Sequence, residues 1–230
     1  MPFELINQSQ TPSLDFSKKF DRVQRLPISE KINAWSEFEF VIVGIGGIGF
    51  HVAKAIAQTL GEPRLTLIDR EMLEEENLNR FDVDVTWVGT QKVDVASQII
   101  AMLNLSAKIT TYNADFREVK DTLYANSYSV IIDEVDSASM SREIYEFAKK
   151  KEAIYVSMKY NGFDRATLYV NEIGFDTGLD NPYEIFPSAY FSAVIFANLL
   201  VYYLFSHYPD EIRDTHMIKN IRLSEVLGVE

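Results

Sequence analysis

Apolar and polar positions along this chain follow one rhythm up to about residue 157 and another beyond it. Between residues 38 and 157, short apolar runs alternate with longer stretches of helical spacing. The runs Phe38–Val43, Arg64–Ile68, Ala107–Tyr112, Ser129–Asp133 and Ala153–Ser157 predict strands. The stretches Phe50–Leu60, Thr90–Leu103, Glu118–Ala125 and Ser139–Lys151 predict helices. Strand and helix in strict alternation imply right-handed crossovers and a mainly parallel sheet covered on both faces, which is a Rossmann-like, doubly wound α/β fold. The rhythm then changes. Asn161-Gly162 predicts a hairpin turn, Ala166–Val170 an antiparallel strand and Met217–Leu223 a last strand. The sheet is therefore expected to carry an antiparallel C-terminal extension. Gly174–Pro187 has loop composition. The expected organisation is an N-terminal arm over residues 1–30 and one domain over 31–230, with a Rossmann-like core at 38–157 and a second part at 158–230.

The segment Ser188–Ser206 has no charged residue and approaches the roughly 20 residues of a membrane span. It also contains Tyr190, Asn198, Tyr202, Tyr203 and three serines. These favour a long apolar helix in the core or in a dimer interface over a membrane anchor. Met1–Asp15 is polar and lacks the apolar core of a signal peptide, so a cytoplasmic protein is expected.

Composition narrows the chemistry. The chain has 230 residues with no cysteine, which excludes disulfides, thiolate metal sites and a cysteine nucleophile. Its formal net charge of −12 repels phosphate backbones and argues against a nucleic acid partner. His51, His207 and His216 share no spacing that suggests a metal site or a triad.

Candidate chemistry begins at Gly44-Ile45-Gly46-Gly47-Ile48-Gly49, between the first predicted strand and the first helix. Such a turn brings backbone N–H groups up to a phosphate at a helix N-terminus. Asp69 ends the next strand, twenty positions past Gly49, where a ribose-binding acid belongs. Asn77 and Arg80 follow Asp69 by eight and eleven positions, and Gly89-Thr90-Gln91-Lys92 opens the next helix. Asp133 and Asp136 lie where the fourth strand runs out. In a doubly wound sheet these strand ends share one edge. A glycine turn, two cations and two or three carboxylates suit a nucleoside triphosphate with Mg²⁺. Hydride transfer to a nicotinamide needs none of the set beyond the turn and Asp69. Arg80 and Lys92 are expected outside the core.

These motifs, in this order over residues 44–136, resemble the ThiF/MoeB/ubiquitin-activating enzyme (E1-like) superfamily. Its pattern is GxGGxG, an acid followed by Asn and Arg, G-x-x-K, and an acidic strand end. The resemblance implies an ATP-dependent adenylyltransferase. It would activate the C-terminal carboxylate of a small β-grasp carrier, ubiquitin-like or sulfur-carrying, as an acyl-adenylate. Gly44, Gly46, Gly47 and Gly49 would face the phosphates, and Asp69 would bind the ribose. Asn77, Arg80 and Lys92 would hold the triphosphate, and Asp136 would hold Mg²⁺. In dimeric members an N-terminal arginine reaches the partner's phosphates. Arg22 stands at a suitable distance and Arg25 is the alternative. Residues 158–230 would then bind the carrier and form a homodimer.

The chain also departs from that pattern. Phe81 stands where Gln is usual, Ser137 where Asn is usual, and no CxxC…CxxC zinc site exists. Without cysteine no thioester with the carrier forms, so the chemistry would stop at the adenylate. Two other readings belong to the same resemblance. One is a catalytically weak, nucleotide-binding scaffold subunit. The other is a tRNA-modifying member, which the acidic charge disfavours.

Overall fold

The computed structural model describes residues 16–161, 163–174 and 189–228. The chain enters through two helices, α1 (Phe16–Gln24) and α2 (Ser29–Ala34). The core then alternates: β1 (Glu39–Val43), α3 (Gly47–Thr59), β2 (Arg64–Ile68), α4 (Lys92–Leu103), β3 (Lys108–Tyr112), α5 (Phe116–Val119), β4 (Ser129–Asp133), α6 (Ala138–Lys150) and β5 (Ile154–Tyr160). There follow β6 (Arg165–Val170), α7 (Tyr190–Phe205), α8 (Pro209–Arg213), β7 (Met217–Arg222) and α9 (Leu223–Leu227).

The strands form one sheet in the order β3-β2-β1-β4-β5-β6-β7. β1 to β5 pair in parallel, and β6 and β7 join in antiparallel fashion. The fold is thus the doubly wound one with an antiparallel extension. Strand order reverses between β1 and β4, which pair with Val43 opposite Asp133. The loops leaving these two strands part there and leave a crevice at their carboxyl ends, where ligands of such sheets bind.

Both faces of the sheet are covered, so β1 is apolar at every inner position. Phe40 and Ile42 pack with Phe50, Leu65, Phe196 and Leu200 on one side. Val41 and Val43 pack with Ile131, Ile144 and Ala148 on the other. The period-2 alternation of a strand therefore reads as one continuous run.

α7 belongs to the larger cluster. Ala193, Phe196, Ala197, Leu200 and Leu204 are fully buried, while Phe191, Asn198 and Tyr202 face outward. Among the described residues no helix is long and apolar enough to cross a membrane.

One expectation shifts. The helix expected over Glu118–Ala125 is a single turn, α5, capped by the Asp115 carboxylate, which accepts the Arg117 N–H. Leu123 and Ala125 are buried by packing on the sheet rather than by a helix face. The segment expected as an arm over residues 1–30 carries α1 and the first two residues of α2. Trp35, just after α2, is fully buried and donates to the His207 carbonyl. The hairpin turn expected at Asn161-Gly162 does fall between the antiparallel strands β5 and β6, and Asn161 Oδ1 accepts the N–H groups of Phe163, Asp164 and Arg165 there. Gly162, most of the Gly174–Pro187 loop and Met1–Asp15 lie outside the described residues.

Candidate nucleotide site

The glycine turn is built by close approach. Gly44 has φ +89°, and a Cβ there would lie 2.7 Å from the Glu134 carbonyl oxygen. A Cβ on Gly49 would lie 2.0 Å from the Gly44 oxygen, so any side chain would push α3 off β1. A Cβ on Gly47 would press on Arg80, Tyr160 and Ala193, so this glycine lets α7 and the Arg80 stem cross the start of α3. Gly46 differs: nothing lies within 4 Å of a Cβ built there. The space over the N-terminus of α3 is open, and the first N–H groups of a helix have no partners within it.

Asp69, just past β2, closes one side. Its carboxylate accepts the Ile45 N–H at 2.6 Å and the Glu71 N–H at 2.8 Å. Burial raises its pKa, against these two bonds and the charge of Lys92. Lys92, the first residue of α4, is only 6% exposed, contrary to the expected surface position, and its Nζ lies 2.5 Å from Glu71 Oε2. The location follows from the Met72–Gln91 bridge and the Lys92 N–H to Glu71 carbonyl bond, which fold the loop back onto the helix start. Burial pushes the Glu71 carboxyl up. The bond and charge of Lys92, with Arg70 and Arg80, outweigh it and hold the group below its usual range.

Asn77 is buried inside a short 3-10 turn, where its Oδ1 accepts the Glu74 N–H at 3.1 Å. Its carbonyl accepts the Arg80 N–H, so Asn77 shapes the loop that carries Arg80. The Arg80 guanidinium donates to the Glu76 carbonyl and to Asn79 Oδ1, both at 3.0 Å. His51 on α3, which the sequence did not single out, is 2% exposed and its Nε2 lies 3.0 Å from the Arg80 carbonyl. Burial and the neighbouring Lys54 push its pKa down to about 4, so the imidazole is neutral and donates to that carbonyl. Phe81 is buried and stacks on Phe50 with ring centroids 4.6 Å apart, which explains an aromatic in place of the family's Gln.

The end of β4 forms the other wall. Asp133 is fully buried and bonded to Tyr155, Lys159 and the Val135 N–H. It is thus a structural acid rather than a free ligand. Glu134 accepts the Met158 N–H at 3.0 Å, and burial, with Asp133 and Asp136 nearby, pushes its pKa up to about 8. Asp136 is exposed beyond this network. Ser137 caps α6 by accepting the Met140 N–H, a role for which Asn is interchangeable. Among the described residues no three acidic or histidine side chains converge to hold a metal ion. A single Asp136 still suits Mg²⁺, which takes one or two carboxylates and completes its shell with phosphates and water.

Arg22 is not part of its own chain's crevice. Lys19, on the same helix, donates to the Leu103 carbonyl at the C-terminal end of α4. α4 runs back toward the start of the strands, so α1 lies at the end of the sheet opposite the glycine turn. Arg22 is exposed there, whereas Arg25 pairs with Asp21 through two bonds of 2.9 Å.

The sheet order and its switch point define a Rossmann-like domain. The ThiF family model matches residues 21–179, and the chain belongs to the ThiF family. It is 29% identical over 113 residues to the molybdopterin-synthase adenylyltransferase of Salmonella typhimurium, covering 48% of this chain and 45% of that protein. It is 27% identical over 136 residues to the tRNA threonylcarbamoyladenosine dehydratase of Escherichia coli, covering 58% and 50%. The chain thus spans half or less of the length of these relatives. In fold it is similar to E. coli MccB solved with AMPCPP and MccA, with a TM-score of 0.68, 17% identity and coverage of 93% and 72%.

Proposed function

We propose that the chain is an ATP- and Mg²⁺-dependent adenylyltransferase that activates the C-terminal carboxylate of a ubiquitin-like or sulfur-carrier protein. The observation that carries this reading is the open turn at Gly46, framed by Asp69, Lys92 and Arg80, in a chain of the ThiF family. Gly44, Gly46, Gly47 and Gly49 form the phosphate cradle, and Asp69 stands where the ribose hydroxyls arrive. The buried Gln91 Oε1, next to Lys92, has no partner among the described residues, so it is an acceptor that a bound N–H or O–H group would satisfy. In the reaction a carrier carboxylate oxygen bonds to the α-phosphorus, and the bond to the bridging oxygen breaks. Pyrophosphate leaves with the electron pair. Arg80 and Lys92 stabilise the charge that develops, with the Asn77 turn holding Arg80 in place. Asp136 would hold Mg²⁺, which shields the phosphate charge. No protein nucleophile is needed for this step, and with no cysteine the carrier leaves as its adenylate.

A homodimer in the cytoplasm, with Arg22 of each chain reaching the neighbour's site, completes the proposal. Its support is the exposed Arg22 at the far end of the sheet from its own crevice. The direct test is ATP–pyrophosphate exchange with candidate carriers: carrier-dependent exchange is expected, and its absence with every carrier that binds would overturn the reading.

One observation favours a second reading, a nucleotide-binding subunit without turnover: Lys92 is already engaged by Glu71. Under that reading ATP binds and exchange never appears.

A further inference from the structure

We propose that Lys159 is a positioning residue of the nucleotide site, clamping the end of β4 so that Asp136 and the backbone beneath Gly44 are set before a metal ion arrives. The inference rests on the proposed role of Asp136. Lys159 Nζ donates to Asp133 Oδ1 at 2.9 Å, to the Asp133 carbonyl at 3.1 Å and to the Val135 carbonyl at 2.5 Å. An ammonium has three N–H donors, and all three are used. Lys159 therefore has no donor left for a substrate.

The rest of the segment is tied to β5 as well. Tyr155 donates to Asp133 Oδ2 at 2.8 Å, and the Met158 N–H reaches Glu134 Oε1 at 3.0 Å. Between the two carbonyls that Lys159 holds lies the Glu134 carbonyl, the oxygen that a Cβ on Gly44 would meet at 2.7 Å. One cation thus sets the acidic strand end and, through it, the floor of the glycine turn. Two clamped carbonyls on either side of residue 134 leave little freedom in the direction the chain takes into Asp136. Groups that orient a metal ligand from behind typically matter 10–100-fold in metal affinity.

A simpler role, neutralising the buried Asp133, is separable from this one. The single variant Lys159→Met strands a buried carboxylate and is expected to lose stability. The double variant Asp133→Asn/Lys159→Met restores neutrality and is expected to melt near the parent. Its nucleotide binding is read with a fluorescent ATP analogue while Mg²⁺ is titrated. We expect half-saturating Mg²⁺ to rise about tenfold in the double variant, with binding in EDTA unchanged. We also expect faster amide exchange at Val135 and Asp136 without nucleotide. Parent-like Mg²⁺ dependence and parent-like exchange in the double variant would overturn the inference alone. If the unmodified chain binds the analogue no better with Mg²⁺ than without it, the proposed function fails and this inference with it.

Discussion

Arg80 and Lys92 differ in what their loss should do. Arg80 is half-buried with its stem over Gly47, and Arg80→Ala removes charge from the crevice with little effect on the core. Carrier-dependent exchange should fall at least about a hundredfold while circular dichroism stays unchanged. Lys92→Ala should lose exchange similarly and also lower the melting temperature somewhat, because a buried stem goes with the charge. Parent-level exchange in either variant would remove that residue from the mechanism. His51 gives a pH prediction. Its pKa falls from about 6.5 unfolded to about 4 folded, so the unfolded chain binds the extra proton between those values. Stability from this group is full above about pH 6.5 and is lost as pH falls toward 4. The loss is on the order of 3 kcal/mol. Urea midpoints at pH 7 and pH 5 should diverge less in His51→Gln than in the parent, and an equal divergence would show that another group sets the slope. The candidate-site residues stood out in the sequence because glycines, acids and cations recur there at fixed spacing and in a fixed order. His51 and Lys159 did not. Each lies in an ordinary helix or strand pattern, and its role appears only once α3 meets the Arg80 loop and β5 pairs with β4.

At the scale of elements, the joint between β1 and α3 is the least tolerant. Gly49→Ala places a methyl 2.0 Å from a backbone oxygen that cannot swing aside. It should cost at least about 1–3 kcal/mol, as overpacking does, and, under the proposed function, should weaken ATP binding too, since the displaced helix would carry the N–H groups that face the phosphates. A melting temperature and an ATP dissociation constant both equal to those of the parent would contradict the close packing. Phe81→Gln tests the family departure in reverse. It replaces a buried, stacked ring with an amide and should destabilise the chain by about 2–4 kcal/mol without raising carrier-dependent exchange above the parent level. Element type was readable from periodicity throughout the core, whereas the extent of α5 was not. Phe116, Val119 and Leu123 have the spacing of a helix face, but an Asp115 cap and packing on β4 and α6 bury them with a single turn.

At the scale of the whole molecule, the arm proposal makes a mixing prediction. Arg22→Ala and Lys92→Ala chains should each be inactive alone. If arms cross, their heterodimer has one doubly damaged site and one intact site, and activity should return on mixing. Light scattering should give about twice the 26.3 kDa chain mass. No recovery despite verified subunit exchange would mean that each site is complete within one chain.

The place of α7 has a consequence for how the chain is made. The helix packs on α3 and β5 and fills the larger core cluster with Phe196, Leu200 and Leu204. Yet it begins about 140 residues after α3 does. During synthesis the glycine turn, the crevice strands and the apolar face of α3 leave the ribosome long before their cover exists. Closing the core waits for a long-range contact, which is slow and leaves that face open to association. A nascent chain stalled near residue 189 would carry nearly every nucleotide-site motif and still be a client for chaperones rather than a working domain.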